Sequence, residues 1–508
     1  MSNAAIHFVD RHLKEGRADK VAFREAKTGR SLTYGALSQA SGQAAGALSA
    51  SGILREERMA MLVLDQIEFP ILFWGAIKAG IIPVPLNTLL ATPVYDAILR
   101  DSRATILVVS EVLYKVVAPA LEDNPFLRSI VVIGHAPEGA ISYDALMSRA
   151  TESVAPVEAS DDEIAFWLYS SGSTGQPKGV HHVHSALRAT ADTYGAQVLG
   201  IREDDVVFSA AKFFFAYGLG NSMTFPMSVG ATSVIFGGRP KPDVVAGILA
   251  DERPSVFCGV PTLYAAIVAH IQKHGVPDVP LRVCISAGEA LPHSVGTKWR
   301  DLMGAEILDG VGSTEMLHIF LSNAPGDVVY GTSGLPVPGY DVRLVDEAGQ
   351  PVGDDEVGEL LVNGASAASG YWNKRAKSRQ TFEGVWTRTG DKYERRADGR
   401  FVYCGRTDDM FKVSGIWVSP FEVEQAIASH PAVLECAVVA ARDVDGLEKP
   451  KAFVVMHEDR PGDLEDMLKD HVKDRIGKWK YPRWIESVDS LPKTATGKIQ
   501  RFKLREDR

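Results

Sequence analysis

Short apolar runs rich in β-branched residues alternate with segments of helical spacing through the first three-fifths of this chain, and no other feature restricts the fold as much. Met61–Leu64, Thr105–Val109 and Ile130–Ile133 read as buried strands. Between them, Glu68–Ala79 and Pro93–Arg100 carry apolar residues at helical intervals. Strands alternating with helices imply parallel βαβ units and an α/β class. From Gly331 to Tyr371 the texture changes to Gly/Pro turns between short alternating strands, Tyr340–Val345 and Glu359–Asn363, which predicts a small antiparallel β-subdomain. After Gly405–Gly415 comes a unit of about 90 residues able to fold by itself. Its pattern gives a helix over Glu422–Ser429, strands over Val433–Ala440 and Lys451–Met456, and a charged helix over Asp463–Arg475, an α+β arrangement. The 508 residues exceed what one hydrophobic core organises, in keeping with several domains.

Composition excludes more than it identifies. A formal net charge of −10 argues against a nucleic-acid surface, which needs a basic stripe. The N-terminal residues lack an apolar run behind a basic start, and no window reaches the ~18 apolar residues of a membrane span. Cys258, Cys284, Cys404 and Cys436 are widely separated and read as reduced core residues, with neither zinc nor disulfide spacing. The expectation is a soluble cytoplasmic protein.

Residues 169–180, YSSGSTGQPKGV, are the most informative segment. A strand-like run, Ile164–Leu168, feeds directly into this loop. Gly172, Gly175 and Gly179 let backbone N–H groups turn inward on an anion. Ser170, Ser171, Ser173 and Thr174 add hydroxyl donors, and Lys178 adds a positive charge. Pro177 stands where a Walker A sequence requires Gly, so this is a different polyphosphate loop. Alone, it is also compatible with a flexible Gly/Ser turn.

The loop resembles the phosphate-binding loop of the adenylate-forming superfamily, which comprises acyl-CoA synthetases, luciferases and peptide-synthetase adenylation domains. Five further motifs follow in the family's order. Residues 286–290, SAGEA, resemble the segment lying along the adenine, here Gly288, Glu289 and Ala290. Residues 309–315, DGVGSTE, resemble the motif that begins at Asp309 and Gly310 and places Thr314 at the α-phosphate and Glu315 on Mg²⁺. Thr389–Asp391 resembles the T-G-D motif, whose carboxylate takes the ribose hydroxyls. Residues 405–412, GRTDDMFK, resemble the interdomain hinge, with Asp408 at the hinge position and Arg406 as a donor fork for ribose or phosphate. Residues 492–498, PKTATGK, resemble the loop whose lysine, Lys498, serves adenylation. Taken alone, Lys498 would be a solvated surface lysine, and Glu315 and Asp391 could be helix or turn caps. The resemblance spans the whole chain. It implies a large adenylating domain, residues 1–407, with a β-rich part over 331–400, followed by a small mobile domain, residues 408–508.

Activating a carboxylic acid with ATP joins two anions, so the catalytic task is to cancel charge and align the attack on the α-phosphorus. The resemblance implies ATP, Mg²⁺ and coenzyme A as participants, with Ser414 and Gly415 in the pantetheine tunnel. Relatives often carry Arg two residues after this Gly, where Trp417 stands here.

Residues 213–220, FFFAYGLG, residues 226–231, PMSVGA, and residues 315–322, EMLHIFLS, resemble the acid-binding segments of benzoate-CoA ligases. That resemblance makes Phe215 an aromatic gate, and Ala216, Tyr217, Gly312, His318 and Ile319 the lining of a short flat pocket. His318 would there donate to a ring substituent such as a hydroxyl. A run of three Phe and a lone His are also what a core contains. The lining holds no acidic residue for an ammonium group, so the expected substrate is benzoate or a hydroxy-, amino- or halobenzoate. The chain stops ten residues after Lys498 without a carrier domain, which makes a diffusible acceptor, CoA, the default. A stand-alone acyl-AMP ligase loading a separate carrier, a CoA ligase for another small acid, and a lapsed nucleotide-binding protein are the alternatives. The sequence leaves the oligomeric state open, a homodimer included.

Overall fold

The computed structural model describes residues 3–150, 152–171, 177–407, 409–413, 416–444, 447–457, 464–477, 480–493 and 499–506. The chain divides into two compact units, Met1–Val342 with Leu361–Thr389, and Arg343–Leu360 with Gly390–Arg508.

The first unit carries two largely parallel sheets, as the strand–helix alternation predicts. One is wholly parallel, in the spatial order Ile82–Pro85, Arg58–Leu62, Ile106–Ser110, Ser129–Ile133, Ile141–Ser142. Strands Arg58–Leu62 and Ser129–Ile133 begin earlier than their apolar runs, because pairing continues beyond the hydrophobic stretch. The helix Glu68–Ala79 has the limits read from sequence. Gly80, at φ 71°, closes it in the left-handed region, and Gly75 lets it approach Tyr34–Ala50, since a Cβ there would stand 2.6 Å from Ala44 Cβ.

The other sheet has nine strands. Its parallel centre runs Ile307–Gly312, Val283–Ser286, Val256–Gly259, Val206–Ser209, Thr232–Ile235, Val21–Glu25. Antiparallel strands Ile319–Ser322 and Leu335–Pro336 flank it on one side, and Ser31–Thr33 on the other. The central strands Thr232–Ile235, Val256–Gly259 and Val283–Ser286 are buried along their whole length, as in a parallel sheet covered on both faces. Beneath them Phe208, Phe257, Tyr264 and Trp299 form one contiguous core. Full burial of such side chains contributes roughly 1.5–3 kcal/mol each. Ligands of open α/β sheets bind at the carboxyl ends of the strands, and Gly288–Ala290 follow directly on the end of strand Val283–Ser286.

A third sheet of the first unit is small. Ile164–Ser171 and Pro177–Val183 form an antiparallel hairpin, and Gly370–Tyr371 adds an edge strand to its second arm. The turn-rich stretch after Gly331 gives strands Asp341–Val345 and Gly358–Asn363, part of a five-stranded sheet that continues through Trp386–Arg395 and Phe401–Arg406.

In the second unit, helix Pro420–Ala428, strands Val433–Arg442 and Glu448–Met456 and helix Leu464–Ile476 match the α+β expectation. A further strand, Trp484–Ser487, runs parallel to Glu448–Met456. Its one short apolar pair, Trp484 and Ile485, gave too little periodicity to predict it. All four cysteines are buried and free. Among the described residues no helix is long and apolar enough to cross a membrane.

Candidate active site

Antiparallel pairing sets Ser170 opposite Lys178 and Ser171 opposite Pro177. Gly172, Ser173, Thr174 and Gly175 are outside the described residues. Lys178 leaves the second arm with its Nζ 3.8 Å from Glu315 Oε1 and 4.6 Å from the centre of the Tyr371 ring. The Tyr371 hydroxyl donates to Glu315 Oε1 at 2.7 Å.

Glu315 stands in a tight turn, Thr314–Leu317, whose geometry costs strain: Leu317 takes φ 65°, a value bulky residues avoid. Several bonds over-determine the turn. Met316 N donates to Ser313 Oγ (3.1 Å), His318 N to Met316 O (2.8 Å), Ser366 Oγ to Met316 O (2.7 Å) and Ala368 N to Glu315 O (2.8 Å). Thr314 and Glu315 are thereby held half-buried beside Lys178. Among the described residues no group of three or more His, Cys, Asp or Glu side chains could enclose a metal. A single carboxylate is what Mg²⁺ requires when substrate phosphates and water complete its shell, so Glu315 fits that role.

The carboxyl ends of the central strands hold the other candidates. Ser286 and Asp309 are register partners on adjacent parallel strands, both buried. Leu291 N donates to Asp309 Oδ2 at 3.2 Å, and burial pushes the Asp309 carboxyl up to about 7. Gly288 is exposed with φ 97°, a conformation that favours glycine, and Glu289 beside it is exposed. Ala290 is half-buried and Gly310 buried.

The three-Phe run divides. Phe213 is core, stacked on Phe69 at 4.6 Å, and Phe214 is buried, while Phe215 is half-exposed at the start of helix Ala216–Leu219. One residue after half-exposed Ala216, the Tyr217 hydroxyl lies 3.0 Å from Gly259 O and 2.9 Å from Ile285 O, pinning the ring across two strand ends. His318 packs against Tyr217, Phe225 and Tyr194, with ring centres at 5.8, 4.5 and 5.2 Å. Gly312 pairs with buried Ile319, and a Cβ on Gly312 would meet His318 O at 2.5 Å. Tyr217, Gly312, His318 and Ile319 thus come together.

The hydrogen-bonding polarity of His318 differs from that reading. Its Nε2 lies 3.3 Å from Tyr217 O, and a carbonyl can only accept, so Nε2 carries the hydrogen. Burial pushes its pKa down to about 3, which leaves the ring neutral and Nδ1 with a lone pair. Nδ1 is buried without a hydrogen-bond partner among the described residues. The imidazole therefore offers an acceptor at this position, its donor being directed to Tyr217.

In the second unit Asp391 and Arg406 are cross-strand partners, with Arg406 Nη1 donating to Asp391 Oδ1 at 2.9 Å. Thr407 N donates to Gly390 O at 2.9 Å, and Gly390 has φ 72°. Asp408, Ser414, Gly415 and Lys498 lie outside the described residues. Tyr371 was not read from sequence, because a Tyr in a short strand next to Trp372 has the look of core. Only its distance to Glu315 sets it apart.

Comparisons with known proteins place the chain in a family. The AMP-binding enzyme family matches residues 9–372, and the AMP-binding enzyme C-terminal domain matches residues 422–498. A 4-hydroxybenzoate–CoA/benzoate–CoA ligase of Rhodopseudomonas palustris is 54% identical over 509 residues, covering 99% of this chain and 94% of that protein. A benzoate–CoA ligase of Thauera aromatica is 50% identical over 510 residues, covering 99% and 95%. The crystal structure of a benzoate CoA ligase from Burkholderia xenovorans superposes with a TM-score of 0.90 at 48% identity, covering 99% of each chain. With its motifs in family order and matched along nearly all its length, the chain belongs to the AMP-binding enzyme family, whose members form acyl-adenylates.

Proposed function

We propose that this enzyme is an aryl-CoA ligase that converts benzoate or a simple substituted benzoate to aryl-AMP and pyrophosphate, then to aryl-CoA and AMP. The single observation that carries the reading is identity of 50–54% to benzoate-activating CoA ligases across 99% of the chain. The proximity of Lys178 to Glu315 and of Tyr217 to His318 supports it.

In the first half-reaction a carboxylate oxygen attacks the α-phosphorus of ATP and pyrophosphate leaves. Charge on the phosphates must be met at fixed points. Lys178 and the donors of the hairpin loop face the phosphates, and Thr314 faces the α-phosphate. Glu315 would hold Mg²⁺, which supplies charge neutralisation on the phosphates when bound. Asp391, acceptor-only when ionised, takes ribose hydroxyls beside Arg406, while Gly288–Ala290 and Asp309 border the base. Lys498 brings positive charge to the carboxylate and α-phosphate in this step. Its loop belongs to a small domain that turns about Asp408 before CoA enters past Ser414 and Gly415.

The acid lies among Phe215, Ala216, Tyr217, Gly312, His318 and Ile319. An unpaired buried acceptor costs roughly 1–3 kcal/mol. A ring hydroxyl or amine that donates to His318 Nδ1 relieves that cost, so hydroxy- and aminobenzoates are favoured over halobenzoates of similar size. CoA-dependent release of AMP from ATP with a panel of benzoates, cinnamates and short and medium fatty acids tests the assignment. Turnover confined to benzoates is expected, whereas preference for fatty acids would overturn the aryl reading. ATP–pyrophosphate exchange with no AMP release on adding CoA would instead indicate a separate carrier as acceptor.

A further inference from the structure

We propose that Tyr371 is a positioning residue for adenylation, keeping the carboxylate of Glu315 and the ammonium of Lys178 apart so that each is ready for its own ligand. The inference rests on the reading of Glu315 as the Mg²⁺ carboxylate and Lys178 as a phosphate group.

The edge strand Gly370–Tyr371 pairs antiparallel with the second arm of the phosphate hairpin, Tyr371 opposite Val180. Lys178, two residues along, shares Val180's face, and diagonal partners across strands are within reach of an aromatic ring. The 4.6 Å between Nζ and the ring centre is a cation–π distance. The same ring's hydroxyl donates at 2.7 Å to Glu315 Oε1. One side chain therefore holds both members of an opposite-charge pair.

The pair itself is open. At 3.8 Å, Lys178 Nζ and Glu315 Oε1 attract but lie beyond hydrogen-bond length. Two side chains so close and both largely buried would otherwise close on each other, and each would neutralise the charge the other must offer to ATP and its metal. Tyr371 opposes that collapse because its bond to Glu315 and its ring under Lys178 draw the two groups to different parts of one rigid plane. The plane is fixed in turn. Tyr371 N donates to Ser378 Oγ at 3.0 Å, and Thr381 Oγ1 lies 3.4 Å from the hydroxyl. Both come from helix Arg375–Thr381, which folds back on the strand. Ala368 N, three residues earlier, holds Glu315 O. Residues 366–381 thus form a clasp between the hairpin and the strained Thr314–Leu317 turn.

Tyr371→Phe removes one oxygen and keeps the ring. The dissociation constant of Mg·ATP, from titration calorimetry, should rise about tenfold, the weight of one hydrogen bond to a charged group. The Mg²⁺ concentration giving half-maximal ATP–pyrophosphate exchange should rise with it. Thioester formation from preformed benzoyl-AMP should stay within about twofold, as a merely structural defect would not allow. In a Glu315→Gln background the same substitution should add nothing further. Ser378→Ala, which loosens the ring from its other end, should weaken Mg·ATP binding in the same direction and keeps the test available should Tyr371→Phe not fold. Mg·ATP affinity unchanged in Tyr371→Phe, or in Ser378→Ala where only that variant folds, overturns the inference. If Glu315→Gln itself leaves Mg·ATP binding intact, the reading of Glu315 falls, and the inference with it.

Discussion

Gly220→Ala tests the acid pocket through sterics alone. Gly220 lies in the right-handed helical region, at φ −61° and ψ −60°, so alanine fits the backbone and by helix propensity gains about 1 kcal/mol. Its Cβ, however, would stand 2.4 Å from His318 Cδ2, 2.7 Å from Nε2 and 3.1 Å from Phe225 Cζ. Ordinary carbon contacts begin near 3.5 Å, so the imidazole must give way by about 1 Å. It has little room, packed against Tyr194, Phe225 and Tyr217. Overpacking of this kind costs roughly 1–3 kcal/mol, so global stability changes by between about nothing and −2 kcal/mol once the propensity gain is included. The functional effect is larger than that net figure, because the strain falls on the ring proposed to contact the acid. The Nε2 to Tyr217 O contact breaks, Nδ1 is re-aimed, and 1 Å of misplacement in a site costs up to about 100-fold. We expect KM for benzoate to rise roughly 5- to 140-fold, following the 1–3 kcal/mol of overpacking at about 1.4 kcal/mol per decade, with KM for ATP within about twofold. AMP release at varied benzoate, and separately at varied ATP, gives both constants. Gly195→Ala, whose Cβ would have Phe225 Cδ1, Cγ and Cβ as its three nearest atoms at 3.2–3.4 Å, is the packing control. An unchanged benzoate KM in Gly220→Ala, or an equal rise for ATP, would refute the placement of His318 in the acid site.

Two other expectations are independent of that pocket. Lys498→Ala should abolish adenylation while sparing thioester formation from preformed benzoyl-AMP, and equal loss of both steps would remove Lys498 from its proposed role. Stability should rise with pH between about 4 and 6.5. Burial pushes His7, His12 and His181 down to about 4 and His182 and His318 to about 3, so these five stay neutral when folded and charge on unfolding. Such groups stabilise fully above their unfolded value and lose that contribution as pH falls. Asp65, raised to about 6, and Asp309, raised to about 7, act in the opposite sense and release protons on unfolding. The histidines that take up protons on unfolding outnumber the carboxyls that release them, so the net slope is positive across this window. Denaturant midpoints measured across this range check it, and a flat profile would show that the histidines are solvated.

What the sequence made legible follows from where its constraints are local. The helix Glu68–Ala79 is bounded by its own residues: apolar spacing runs to Ala79, and Gly80 supplies the left-handed stop, so the pattern and the fold agree to the residue. The hairpin of Ile164–Ser171 and Pro177–Val183 is local as well, its two strands pairing within twenty residues of chain. Trp484–Ser487 became a strand through pairing with Glu448–Met456, about thirty residues earlier, and nothing within its four residues announces that partner. The same distinction governs the site. Glu315, Asp391 and Arg406 stand in motifs whose neighbouring glycines and threonines mark them, whereas Tyr371 meets Glu315 from 56 residues away, and its hydroxyl gains meaning only from that meeting. The polarity of His318 depends on the carbonyl of Tyr217, 101 residues before it. Motifs therefore single out the groups proposed to carry charge to the substrate. The groups that set their direction are assigned by the fold, through contacts between distant segments, and it is at Tyr371, Gly220 and the Tyr217 carbonyl that single-atom changes should separate one step or one substrate from another.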